Sequence, residues 1–244
     1  MPAAEETFLL GLLQGPAELL PISSSAHVGL LLHRRHPLLE GAARKEIEVA
    51  LHAGTALVLA LERRPVRWGF LAAATLPPAL AGLVLERFVE ERLGTPPTVA
   101  AGLVAGGIAM VLADRTPARR TAPTLADGLA LGAAQALALI PGVSRSGATR
   151  AAARRRGFGR EEAAALSREA ALPVLAGAAA LKAARRPSRD RWGALAAGAI
   201  GSAVSTGIAL RMERTLARAP LRVWAGYRTV LAAAILAVWH DRRR

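Results

Sequence analysis

Apolar runs of membrane-crossing length, separated by short basic breaks, set the pattern of the chain. Residues 68–85, 93–113 and 192–210 hold no charged side chain over 18, 21 and 19 positions. Helices of that length cross a hydrocarbon layer of about 30 Å at about 1.5 Å per residue. Three less pure stretches, 47–61, 161–181 and 221–239, are read as further spans. Loop chemistry falls between them at Arg63-Arg64-Pro65, Gly94-Thr95-Pro96-Pro97 and Arg185-Arg186-Pro187-Ser188. Trp68, Trp192, Trp224 and Trp239 lie near predicted span ends, where indole rings settle at the headgroup level.

Two apolar segments do not read as simple crossings. Residues 7–32 are broken at Pro21-Ile22-Ser23-Ser24-Ser25, and residues 125–153 at Pro141-Gly142-Val143-Ser144-Arg145-Ser146. Each first half is too short to span, so each segment is predicted to be a re-entrant helix-turn-helix hairpin. Irregular backbone at that depth survives where protein or a water-filled cavity satisfies it. Gln14 precedes Pro21 by seven residues, Gln135 precedes Pro141 by six, and three spans follow each hairpin. An odd number of spans per copy turns the second copy over. The expected fold is an all-α integral membrane protein in one polytopic domain over 1–244: six transmembrane helices plus two hairpins in a 3+3 inverted repeat. The repeats cover about 5–113 and 124–240.

Composition strengthens the membrane reading: 52% of residues are hydrophobic and only 4% aromatic, more apolar surface than a soluble core of this size uses. The net charge of +14 would suggest nucleic acid in a soluble protein. Here the arginines cluster between apolar runs, at Arg34-Arg35, Arg63-Arg64, Arg119-Arg120, Arg154 to Arg156, Arg185-Arg186 and Arg242 to Arg244, where they meet lipid phosphates and water. Membrane lipids are the expected partners, and no nucleic acid. The chain has no cysteine, which excludes disulfides and thiolate metal sites. The acidic start, Glu5-Glu6, and Glu18 argue against a cleavable signal peptide. Lys and Arg divide evenly over the two sides, so orientation is unread, as is oligomeric state.

Chemistry concentrates in the hairpins. Gln14 and Glu18 share a helix face in an otherwise apolar run, and an intramembrane carboxylate marks a functional site. Its expected partners are His27 and a basic residue from the other hairpin. Ser23, Ser24 and Ser25 cap a second short helix with His27 in its first turn. In the second hairpin, Ser144, Ser146 and Thr149 place hydroxyls around the guanidinium of Arg145 between two glycines, a composition suited to phosphate. No Gly-Lys-Ser/Thr ending is present, so this is not a Walker loop.

With these residues in view, the chain resembles the bacterial undecaprenyl-diphosphate phosphatases, also called bacitracin-resistance proteins. The resemblance is carried by Gln14-Gly-Pro-Ala-Glu18-Leu-Leu-Pro-Ile-Ser-Ser24-Ser-Ala-His27 and by the run from Pro141 to Thr149, supported by Glu48-Val-Ala-Leu-His52-Ala-Gly54-Thr55 and Gly226-Tyr227-Arg228. It implies hydrolysis of a C55 polyprenyl diphosphate to the monophosphate plus inorganic phosphate. That recycles the carrier for cell-wall synthesis and confers bacitracin resistance, in the bacterial inner membrane with the site open to the outer face. By matching positions, Ser24 is implied as nucleophile, with an activated water as the alternative, and His27 as general base or acid. Arg145, Ser144, Ser146 and Thr149 are implied as phosphate ligands. Glu18 is implied as a catalytic group that orients His27 or, with Gln14, holds a divalent cation, Mg²⁺ or Ca²⁺. Gln14 is a known variant of the family's first Glu that removes one possible metal carboxylate, and two features depart from the pattern: the charged Ser167-Arg168-Glu169 where an apolar run is usual, and a shorter chain. A carrier of polyprenyl phosphates is the alternative reading, because broken helices in inverted repeats also build transporters.

Overall fold

Pro and Ser decide where the helices stop. In the computed structural model, which describes residues 2–39, 41–62, 66–184 and 189–241, Leu20 leaves the first helix in extended conformation (ψ 152°), the region favoured for a residue before proline. The order among the described residues is α1 (Ala4–Leu19), α2 (Ser24–Arg35), α3 (Gly41–Leu61), α4 (Trp68–Leu93) and α5 (Pro96–Asp114). Then follow α6 (Leu125–Leu137), α7 (Arg145–Arg155), α8 (Arg160–Ala184), α9 (Trp192–Leu216) and α10 (Leu221–Asp241), with one 3-10 turn (Arg189–Arg191) before α9. The breaks expected at Arg63-Arg64-Pro65 and Arg185 to Ser188, and the terminal arginines 242–244, lie outside the described residues.

The chain is all-α, and both broken segments are helix-turn-helix elements, α1–α2 and α6–α7. Among the described residues five helices, α4, α5, α8, α9 and α10, are long and apolar enough to cross a membrane. α3, expected as a sixth, is 21 residues long but opens with Arg44, Lys45, Glu46 and Glu48, which raise the polarity of any span-length window. α4 runs eight residues beyond the uncharged stretch and absorbs Pro77 and Pro78 without stopping. Trp68 and Trp192 open α4 and α9 and stay exposed.

Small residues then let helices of the two halves approach. α1 lies along α9: a Cβ on Gly11 would strike the Gly198 carbonyl, and one on Gly15 the Thr206 amide. α6 lies along α4 in the same way: a Cβ on Gly128 would come within 2.6 Å of the Phe70 carbonyl and one on Gly132 within 2.7 Å of that of Ala73. Glycines four apart provide this close packing where lipid cannot drive association by hydrophobicity. Exchanging α1–α5 for α6–α10 preserves several of the pairings, though α7 packs on α5 and α8 far more than α2 does on α10 and α3. α1 on α9 corresponds to α6 on α4, α3 on α9 to α8 on α4, and α3–α8 and α5–α10 map onto themselves. α6 is pinned by a capping box: Asp127 accepts from the Thr124 amide (2.8 Å) and from Arg120 and Arg156 (2.7 and 2.6 Å).

The charged departure after the second hairpin is absorbed by ion pairs. Arg168 pairs with the buried Glu213, which also receives Arg150, while Glu169 takes Arg67. Paired in this way, the charges escape the penalty of isolated burial.

Candidate active site

Both turns leave the ordinary backbone regions at the same point. Ser23 (φ 72°) and Ser144 (φ 67°) are the positive-φ residues other than glycine among the described residues, and each immediately precedes the second helix of its hairpin. Such conformations cost about 1–3 kcal/mol and persist where the surroundings enforce them. The enforcing contacts run between the hairpins. Ser146 Oγ donates to the Leu20 carbonyl (2.8 Å), and Arg145 reaches Glu18, 127 positions away. α2 and α7 therefore begin where the two turns meet.

Glu18 is the centre of this meeting. It is 4% exposed, and its two oxygens divide the donors between them. Oε1 accepts from Arg145 Nη2 (3.0 Å) and Nε (3.3 Å). Oε2 accepts from Ser24 Oγ (2.5 Å) and Gln14 Nε2 (3.1 Å), and lies 3.4 Å from His52 Nε2. Arg145 also donates to the Ser167 carbonyl (3.1 Å). A carboxylate with an arginine on one oxygen and a serine hydroxyl on the other is stabilised as an anion and aligned as an acceptor for the serine proton.

The expected partner from the other hairpin is thus Arg145, but the imidazole on Glu18 is His52 and not His27. His27 turns away: Nδ1 donates to the Ser23 carbonyl (2.8 Å), which leaves Nε2 to meet Tyr227 Oη at 2.6 Å. The two rings stack, 5.7 Å between centroids. Because a carbonyl only accepts, Nδ1 carries the proton and Nε2 is the basic nitrogen of the neutral ring.

The remaining hydroxyls hold the second turn in shape. Ser144 Oγ accepts the Gly147 amide (3.2 Å), capping α7. Thr149 is fully buried, donating to the Arg145 carbonyl (2.8 Å) and sharing a bond with Ser167 Oγ (2.7 Å). These side chains stand behind Arg145, whereas Ser25 is exposed at the mouth of the first turn.

The donor set also tests whether Glu18 and Gln14 fit a divalent cation. Hard cations take several oxygen ligands. Here Gln14 presents its amide nitrogen to Glu18, and both Glu18 oxygens already face hydrogen-bond donors, one of them a guanidinium. Among the described residues no group of three His, Asp or Glu side chains converges to complete a shell. In this arrangement the residues do not fit a resident metal.

The family model described as bacitracin resistance protein BacA matches residues 7–234. This chain belongs to that family. Its relatives include proteins named undecaprenyl-diphosphatase from Moorella thermoacetica (36% identical, 98% of each chain covered), Geobacter sulfurreducens (37%, covering 94% of this chain and 96% of the relative) and Gemmatimonas aurantiaca (34%, 97% and 98%). Near-complete coverage of the BacA relatives means that both hairpins and all the long helices fall within the shared region.

Three residues of this arrangement, His52, Tyr227 and Arg228, supported the family resemblance in the sequence but were given no chemical role there. His52 follows Glu48 by one helical turn and reads as half of a local pair; its contact with Glu18 arises only when α1 packs on α3. Tyr227 and Arg228 lie in an apolar span, and a lone arginine there was the available signal.

Proposed function

We propose that this chain dephosphorylates undecaprenyl diphosphate to the monophosphate and inorganic phosphate at the junction of the two turns, a reading supported by its relatives' shared name, undecaprenyl-diphosphatase. In a bacterium this returns the lipid carrier to cell-wall synthesis and opposes bacitracin, and it belongs to the inner membrane. The observation that carries the reading is Glu18, bound at once by Ser24 from its own hairpin and by Arg145 from the other.

The residues divide the work as follows. Arg145, with the positive N-terminal end of α7, receives the oxygens of the terminal phosphate and offsets charge on the transferring phosphoryl group. Ser24 Oγ attacks that phosphorus while its proton passes to Glu18 over the 2.5 Å bond already formed. The bond to the bridging oxygen breaks and polyprenyl phosphate leaves. Water then attacks the phosphoserine, and the Ser24 oxygen recovers its proton. His27, whose Nε2 is the basic nitrogen and can exchange Tyr227 for water, accepts the proton of the water that attacks in the second step. Ser144, Ser146 and Thr149 keep Arg145 aimed. A divalent cation has no step here. The names of the relatives give the carrier reading no support.

The paired helix contacts and the matched Ser23 and Ser144 turns support the 3+3 inverted repeat, with α3 as the sixth span and the hairpins entering from opposite faces. A site open to the outer face is the orientation this function needs. Trapping tests the chemistry: brief reaction with substrate labelled in the terminal phosphate, then denaturation, should leave acid-stable label on Ser24 and none on Ser24→Ala. Full turnover by Ser24→Ala would transfer the attack to water.

A further inference from the structure

Arg228 is fully buried on α10, and among the described residues no carboxylate pairs with it. A bare guanidinium at that depth is costly unless its donors are satisfied. It meets five backbone carbonyls instead. Nη1 points to Pro21 of the first turn (3.4 Å). Nη2 lies 2.9 Å from both Gly142 and Val143 of the second turn and 3.2 Å from Gly102, and Nε donates to Leu103 (3.0 Å). One rigid fork therefore ties both turns to α5. Pro21 is three residues before Ser24, and Val143 two before Arg145.

The surroundings are built to admit this side chain. A Cβ on Gly106 would strike Arg228 Nη2 and come within 2.8 Å of the Val143 carbonyl, and one on Gly147 would lie 2.9 Å from Nη1. With every nitrogen engaged and no surface exposed, Arg228 does not reach the substrate. We propose that Arg228 is a positioning residue for phosphoryl transfer: it sets the spacing of the two turns so that Arg145 and the Glu18–Ser24 pair converge on one phosphate. This rests on the site proposed above.

Lysine cannot replace the fork, because three hydrogens on a single nitrogen do not bridge turns on opposite sides. Misplacement of reacting groups by about 1 Å costs up to about 100-fold in rate. In Arg228→Lys and Arg228→Ala, kcat should fall roughly 10- to 100-fold with KM within about threefold of the parent. Free guanidinium should restore at least about fivefold in Arg228→Ala by refilling the cavity. Ile235→Ala, a packing change on the same helix, supplies the comparison for stability. It should lose melting temperature but keep kcat and show no response to guanidinium.

The role is refuted if the Arg228 variants lose activity only in proportion to their melting temperature, as Ile235→Ala does, and guanidinium restores nothing. Should neither Arg228 variant fold, Gly106→Ala decides. It keeps the arginine and presses a methyl against it, and a normal kcat there refutes the role. Arg145→Lys separates the two levels. Normal activity in Arg145→Lys overturns the site itself, whereas its loss alongside a normal Arg228→Lys overturns only the positioning role.

Discussion

At the scale of single residues, the chemistry depends on what each oxygen of Glu18 accepts. Glu18→Gln keeps the shape but removes the proton acceptor for Ser24 and the counter-charge for Arg145, so kcat should drop roughly 100- to 10,000-fold. Since the Glu18 oxygens already face donors, replacing the carboxylate should leave any response to added Mg²⁺ unchanged from the parent's. A shifted Mg²⁺ midpoint in Glu18→Gln would reinstate the carboxylate as a metal ligand. Glu18, Ser24 and Arg145 were legible in the sequence because a carboxylate or guanidinium inside an apolar run needs a reason wherever the chain folds. Which imidazole faces Glu18 was not, since His27 and His52 are both near it by different routes and only packing distinguishes them.

At the scale of elements, the turns and the glycine seams control the site. Gly15→Leu would drive a side chain into the Thr206 amide and Ser205 on α9. Forcing α1 away should cost about 1–3 kcal/mol, read as a lowered melting temperature in detergent, and should reduce activity through Glu18 at the end of the same helix. At the entrance to α6, burial pushes the Asp127 carboxyl up, but bonds from Arg156, Thr124 and Arg120 outweigh it and hold the group at about 2. A carboxyl depressed on folding contributes stability that is complete above its unfolded value of about 3.9 and disappears as pH falls through the folded value. Asp127→Asn should therefore melt below the parent at pH 7, with the gap closing between about pH 4 and pH 2. The hairpins were readable from proline and serine in the middle of short apolar helices. The status of α3 was not, because its charged first turns and apolar last turns send opposite signals.

At the scale of the whole molecule, two hairpins distant in sequence form one site because each leans on the opposite half. Inverted repeats place the beginnings of the two copies on opposite membrane faces. Single cysteines at the exposed positions Ala3 and Ala122, in a chain with none of its own, should react with an impermeant maleimide from opposite sides of sealed vesicles. Labelling from the same side would remove the inversion. The two similar turns were visible in the sequence, each followed by three apolar stretches; the exchange of partners, α1 onto α9 and α6 onto α4, was not, because glycine spacing names a close contact without naming its partner.

The central claim is that both turns contribute to one phosphate site, and release of inorganic phosphate from undecaprenyl diphosphate by purified Arg145→Lys tests it most directly. The lysine preserves charge but cannot make the paired bonds of a guanidinium to phosphoryl oxygens. Loss of that contact should cost about 2–4 kcal/mol, a fall of roughly 30- to 1000-fold against the parent measured side by side. Turnover by a folded Arg145→Lys within about threefold of the parent, less than about 0.7 kcal/mol, would contradict it and leave the second turn outside the reaction.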